Sequence, residues 1–329
     1  MTTRIGFPGL GIEMFEMNRT AFTVFGVDIQ WYGILLSTGI VLAFLLFYRL
    51  GTKREHIKAD DIYNVTLFTV PVAIIGARLV YVITNWDSYK DKGFLNMINI
   101  RGGGIAIYGA IIFGLLTVIV YNRVKKVGTL SMLDALAPAV MLGQTIGRWG
   151  NFANQEAFGT NTDLPWGMYS EKICSYIIRN QSSLPGVDPY KPVHPTFLYE
   201  SIWCIVGFII LYIILKKARK FSGQLFLCYG IWYGIGRTII EGLRTDSLYI
   251  VENLRASQLL SLILVAVCSV LLIVKLVKYT KNPQPIELGD MGDGIITAVP
   301  FGKGGSGSES KEESTNTESK GDDGNVQTD

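Results

Sequence analysis

Seven stretches of the chain are apolar for the length of a membrane crossing: 31–49, 62–84, 103–122, 132–148, 196–215, 223–243 and 257–277. A hydrocarbon core about 30 Å thick takes about 20 helical residues. No water reaches the backbone there, so only helices or closed barrels cross it. The runs are helix-length and show no alternating ten-residue strands, which argues against a barrel. The pattern predicts an all-α, polytopic membrane helical bundle with seven transmembrane helices. Basic side chains collect in alternate short connections. These are 49–61 (Arg49, Lys53, Arg54, Lys58), 123–131 (Arg123, Lys125, Lys126) and 216–222 (Lys216, Lys217, Arg219, Lys220). Such loops stay cytoplasmic. The N-terminus is then expected outside and the C-terminus in the cytoplasm.

Three regions follow. Residues 1–29 mix Phe, Met and Ile with a few charges and read as an extracytoplasmic arm along the membrane surface. They lack the basic start, apolar core and small-residue cleavage site of a signal peptide. Residues 30–280 form the seven-helix domain, with one long extracytoplasmic loop at 149–195. Residues 281–329 turn acidic and rich in Gly, Ser, Thr and Asn, the composition of a disordered cytoplasmic tail. No internal repeat is evident.

Composition sharpens the class. The 329 residues are 49% hydrophobic and 17% charged, which points to a membrane protein and away from a soluble domain. The net charge of +3 implies no nucleic-acid partner. Cys174, Cys204, Cys228 and Cys268 have neither a disulfide framework nor a metal spacing. Two histidines, His56 and His194, are too few for a histidine metal site. No metal and no cofactor is expected.

A charged side chain at membrane depth costs about 2.5–3.5 kcal/mol on insertion scales, so those that are present have a purpose. With the orientation above, Arg78, Arg148, Asn151, Tyr233, Arg237, Glu241 and Arg244 fall in the outer half of their spans or at its mouth. So do Tyr32, Tyr108, His194, Tyr199 and Glu200. A transporter usually has its site near the midplane. This distribution instead suits a site at the depth of outer-leaflet lipid headgroups. Asp134, at the inner start of the fourth span, reads with Ser131 as a helix capping box.

The densest stretch is Gly143–Gly159, which carries Arg148, Asn151, Asn154, Gln155 and Glu156 among glycines. Arginine, amide donors and uncovered backbone N–H groups suit a phosphate or carboxylate. A plainly capped helix end is the alternative. In the sixth span Tyr229, Tyr233, Arg237, Glu241 and Arg244 share one helix face. Two arginines against one glutamate leave a positive surplus for an anion, or Arg237–Glu241 merely braces the bundle. Arg78, with Tyr81 one turn on, is either a site wall or packing. The stretch Arg101–Gly109 is irregular backbone that presents Tyr108, or a flexible turn. His194 stands near Glu200 as an acid–base pair or as a hydrogen-bonded structural residue.

The block Gly147–Gly159, G-R-W-G-N-F-x-N-x-E-x-x-G, resembles the signature of the prolipoprotein diacylglyceryl transferase family of the bacterial plasma membrane. Other stretches resemble the same family, in its order, over roughly residues 30–250. They are Trp31-Tyr32-Gly33, Gly76-Ala77-Arg78, Gly102–Gly109, His194–Glu200, and Tyr233–Asp246 with its R-x-x-x-E-x-x-R. The resemblance implies transfer of the diacylglyceryl group of phosphatidylglycerol to the lipobox cysteine thiol of prolipoproteins. A thioether forms and glycerol phosphate leaves. It implies that Arg148, Asn151 and Arg237 hold the phosphate, that Glu156 and Glu241 orient the arginines, and that Tyr32 and Tyr233 line the site. Arg78 and Arg244 join the substrate-binding set, with Asn154, His194 and Glu200 in support. Many members carry a histidine before the glycine of the third-span motif, where this chain has Tyr108. A tyrosine near pKa 10 is a poor base. The proton acceptor is then another group such as Glu241, or arginines lower the thiol pKa directly. A lipid transporter or scramblase, and an inactive relative that binds signal peptides, are the alternative readings.

Overall fold

The computed structural model describes residues 2–100, 103–184, 186–245, 249–251, 254–283, 286–288 and 296–298. Arg101, Gly102 and Asp246 of the sequence motifs lie outside the described residues. So do 284–285, 289–295 and 299–329 of the tail. The chain is mostly helical. Its helices are α1 (Trp31–Lys53), α2 (Ala59–Thr84), α3 (Trp86–Tyr89), α4 (Phe94–Ile98), α5 (Ile107–Lys125), α6 (Thr129–Asn154), α7 (Glu171–Arg179), α8 (Thr196–Lys217), α9 (Gln224–Leu243) and α10 (Ala256–Lys281).

Among the described residues, six helices are long and apolar enough to cross a membrane: α1, α2, α5, α6, α8 and α10. The chain is therefore a multi-pass membrane protein. The expected seventh crossing is helical as α9, but Gln224, Arg237 and Glu241 dilute its apolar character and it stands outside that set. Long helices pair antiparallel: α1 on α6, α2 on α5, α8 on α6 and α9, and α9 on α10. Small residues bring them close, as where Gly39 of α1 meets the Gly143 carbonyl of α6.

Two boundaries differ from expectation for physical reasons. Gly103 and Gly104 have φ of +81° and +79°, a left-handed backbone that delays the start of α5 to Ile107. In the other direction, α6 runs on past Arg148 to Asn154, so Asn151 and Asn154 sit on helix and not in the loop.

The all-α expectation needs one amendment. Residues 2–30 form strands β1 (Thr2–Phe7), β2 (Ile12–Asn18), β3 (Thr20–Val24) and β4 (Val27–Gln30). Strand β1 pairs antiparallel with β2 and with β5 (Tyr169–Ser170), which lies in the long 149–195 connection. The short pairs β6 (Tyr249–Val251) with β7 (Leu254–Arg255), and β8 (Ile286–Leu288) with β9 (Ile296–Ala298), complete the strands. Ser170 caps α7 through the Ile173 N–H. The backbone N–H and Nε of Arg4 both hold Glu171, at 3.0 and 2.8 Å. Ile5, Phe158, Met168, Ile173, Ile177, Val193 and Phe197 make a core beneath this sheet, separate from those inside the bundle. The arm and the long connection thus fold together over one end of the helices.

Candidate active site

That covered end is where α1, α5 and α8 begin and where α2, α6 and α9 finish. The last turn of α6 stops at Gln155, whose φ of 49° is left-handed, and Ala157 repeats the conformation at 56°. Non-glycine residues rarely adopt it, and such strain clusters at functional sites. The reversal folds Glu156 back over the helix end. Its Oε1 accepts from Asn151 Nδ2 at 3.0 Å and from Asn154 Nδ2 at 3.2 Å. Arg19 Nε donates to Asn154 Oδ1 at 3.3 Å, and Lys172 Nζ donates to the Asn154 carbonyl. Burial, and then the neighbouring Arg19, push the Lys172 ammonium below its usual pKa. The chain then runs between α8 and α9. Gly159 N–H meets the His194 carbonyl at 2.9 Å, and Thr160 N–H meets the Leu243 carbonyl at 3.0 Å.

The centre of the site is Glu200, 5% exposed on the first turns of α8. Three arginines converge on it: Arg148 Nε at 2.5 Å, Arg237 Nη1 at 3.2 Å and Arg244 Nη1 at 3.6 Å. Arg237 Nη2 also lies 2.6 Å from Glu241 Oε2, a close ion contact off hydrogen-bond alignment. Among the described residues the cluster sets Arg148, Arg237 and Arg244 against Glu200 and Glu241. The arginine side chains stay 14–21% exposed, so an incoming anion can reach them.

Aromatic rings surround this cluster. Tyr32 packs on Gly150 and is near enough to feel the charges of both Glu156 and Arg148. Tyr108 stands where Arg237, Glu241 and Tyr233 act on it. Tyr233 stacks on Tyr229, whose hydroxyl accepts from Gln144 of α6 at 2.9 Å.

Two sequence candidates are engaged elsewhere. Arg78 is 6% exposed and spends all five N–H donors on the strap described at 85–100 and 103–106. They reach the carbonyls of Met97 (2.7 Å), Asn96 (2.8 Å), Gly103 (2.8 Å) and Gly104 (2.7 Å), and the Tyr89 hydroxyl (3.4 Å). His194 bonds Tyr199, at 3.0 Å from Nδ1 to the hydroxyl, and not Glu200. Trp166 Nε1 donates to that hydroxyl at 2.8 Å. Burial pushes the His194 pKa down, which favours the neutral ring.

Glu156 was expected on the arginines and instead holds the two asparagines. Glu200 takes the arginines, and its partners lie on other helices. Arg19 and Lys172 carry no local signal, because the folded arm and loop bring them in. The expected Ser131–Asp134 capping box is not formed. Gly128 precedes α6 with no side-chain cap, and Asp134 caps α9 by accepting from Gly223 N–H (2.8 Å) and Phe226 N–H (2.9 Å). Arg219 joins Asp134 at 3.0 Å and Glu55 through both its Nη atoms, a second buried cluster at the far end of the bundle. Among the described residues no group of three or more His, Cys, Asp or Glu side chains is placed to hold a metal.

The fold and site together define a multi-pass membrane protein with three guanidinium groups gathered on buried carboxylates at one end of its helical bundle. Residues 19–274 match the family model for prolipoprotein diacylglyceryl transferase. A phosphatidylglycerol--prolipoprotein diacylglyceryl transferase of Finegoldia magna is 45% identical over 249 residues, covering 76% of this chain and 92% of that protein. Proteins of the same name from Clostridioides difficile and Enterococcus faecalis are 44% and 42% identical. They cover 75% and 82% of this chain, and 91% and 93% of their own lengths. The chain belongs to the prolipoprotein diacylglyceryl transferase family.

Proposed function

We propose that the protein transfers the diacylglyceryl group of phosphatidylglycerol to the lipobox cysteine thiol of prolipoproteins, the first step of bacterial lipoprotein maturation. The observation that carries this reading is the convergence of Arg148, Arg237 and Arg244 on the single buried Glu200. In the reaction the lipobox thiol gives up its proton, to Glu241 or directly to water, and its sulfur bonds to the terminal glycerol carbon of the diacylglyceryl group. The carbon–oxygen bond to phosphate breaks, and glycerol phosphate leaves with added negative charge. Arg148 and Arg237, with Asn151, bind that phosphate and stabilise the charge as it grows. Glu200 and Glu241 orient the guanidinium groups, and Arg244 supplies further positive charge. Tyr32, Tyr108 and Tyr233 line the pocket. Arg78 acts at one remove, by fixing the strap that leads to Tyr108. The nucleophile arrives with the substrate, so no enzyme cysteine or serine is needed. A free thiol has a pKa near 8.5, and neighbouring arginines favour its thiolate.

In this reading α9 is the seventh crossing, shielded by α8 and α10. The basic loops face the cytoplasm, the N-terminus lies outside, and the site opens at the outer leaflet of the plasma membrane. Its partners are phosphatidylglycerol, lipobox prolipoproteins and the bilayer. The test is to incubate the purified protein with phosphatidylglycerol and a lipobox peptide, following glycerol phosphate release and peptide mass. Arg148→Ala and Arg237→Ala should each slow transfer by about 10²–10³-fold, the loss typical of a transition-state charge donor. Unchanged rates in both variants would remove the site. Lipid movement with no covalent product would replace the transferase by a transporter.

A further inference from the structure

The α8–α9 seam carries a feature that the chemistry above does not use. Trp203 of α8 and Trp232 of α9 stack with ring centroids 4.5 Å apart and planes 19° from parallel. Trp203 Nε1 donates to the Trp232 carbonyl at 2.9 Å, and Trp232 Nε1 donates to the Trp203 carbonyl, also at 2.9 Å. Each indole therefore clasps the other residue's backbone. The sequence repeats to match: Trp203 is followed four residues on by Gly207, and Trp232 by Gly236. A Cβ at Gly207 would collide with Trp232 Cδ1 and Nε1, and one at Gly236 with Trp203 Nε1. Both glycines are needed for the rings to reach the carbonyls.

This clasp sits one helical turn from the site. Glu200 precedes Trp203 by three residues, and Arg237 follows Gly236 directly. A slip of α9 along α8 by one residue, about 1.5 Å, would break both indole bonds. It would also pull Arg237 from its 3.2 Å contact with Glu200. We propose that Trp203 and Trp232 are positioning residues for the transfer reaction, setting the register of α8 against α9 and so the placement of Glu200 on Arg237. The proposal rests on the reading that this arginine cluster binds the lipid phosphate.

The test uses the full chain with phosphatidylglycerol and a lipobox peptide, with rates per folded, monodisperse protein. Trp203→Phe and Trp232→Phe each keep a ring and remove one N–H donor. Each should lower kcat/KM for phosphatidylglycerol by about two- to tenfold, the span of one net hydrogen bond. The lipid KM should rise and the peptide KM should hold. The double variant should lose little more than either single one, because the two bonds act as a unit. Gly236→Ala opens the same clasp with both indoles present and should reproduce the lipid KM effect. In Gly236→Ala, which keeps both indoles, their exciton couplet in far-ultraviolet circular dichroism reports whether the clasp has opened. An open clasp with wild-type lipid KM and kcat/KM would overturn the proposal, even if the melting temperature dropped. Arg237→Ala in the same assay separates the two ideas. If it is inactive while the tryptophan variants are normal, only the clasp fails. If it is fully active, the phosphate site fails first.

Discussion

Replacing Glu200 by glutamine tests the arginine cluster without changing its shape. Glutamine keeps the length and one carbonyl acceptor but removes the charge that Arg148, Arg237 and Arg244 share. Glu241 still faces Arg237, while Arg148 and Arg237 lose the charge they share on Glu200. Removing one partner of a buried ion pair costs about 3–5 kcal/mol, mostly through the charge left behind. Here the stranded arginines are 14–21% exposed, so water moderates the penalty and the lower end, about 3 kcal/mol, applies. At roughly 2–4 °C per kcal/mol for a chain of this size, the melting midpoint should fall by about 6–12 °C. The assay is thermal unfolding of purified protein in detergent, with and without phosphatidylglycerol. An anion filling the uncompensated site stabilises the variant by binding only its folded form. Added phosphatidylglycerol should therefore raise the midpoint of Glu200→Gln more than that of wild type. A variant that melts within about 2 °C of wild type, with the same lipid response, would show that Glu200 does not hold the arginines.

Two further outcomes follow from groups at the rim. His194 has its folded pKa pushed below the ordinary value by burial. As pH falls through about 6.5, the unfolded chain takes a proton that the folded chain refuses, so folded stability declines until the lower folded pKa is passed. His194→Gln should flatten that part of the melting-temperature curve, and equal slopes for both proteins would contradict it. Arg78→Lys offers one ammonium where five N–H donors served four carbonyls and a hydroxyl. The Ala106 N–H, which holds the Ala77 carbonyl at 3.0 Å, should then exchange with solvent at least tenfold faster. Unaltered protection at Ala106 would mean that the strap does not depend on Arg78.

Much of the fold was legible because a membrane chain announces its helices by length and apolarity, and α1, α2, α5, α6, α8 and α10 lie where the apolar runs do. The strands were not. Strand β1 is six residues long, and of its two partners β5 lies more than 160 residues away, so no local window contains that pairing. At the site, the cost of burying charge singled out Arg148, Arg237 and Glu241. Glu200 was read against His194, six residues before it, because a sequence offers only sequence neighbours. The paired W-x-x-x-G at Trp203 and Trp232 was open to a search for short repeats, though its meaning depends on the two helices running antiparallel.

Buried charge states that partners exist, and the helix arrangement states which they are. Helix α6 shows how much that arrangement is constrained. It carries Asp134 near one end and Arg148 near the other, fourteen residues or about 21 Å apart. Asp134 caps the first turn of α9, and Arg148 shares Glu200 with Arg237 near the last turns of α9. The two helices run parallel and are tied at both ends, directly at one and through α8 at the other. A register error between them would strand a carboxylate at one end and a guanidinium at the other. The far cluster of Asp134, Arg219 and Glu55 touches no substrate in the proposed reaction. It nevertheless bears on it, because it sets where α9 begins and hence where Arg237 arrives.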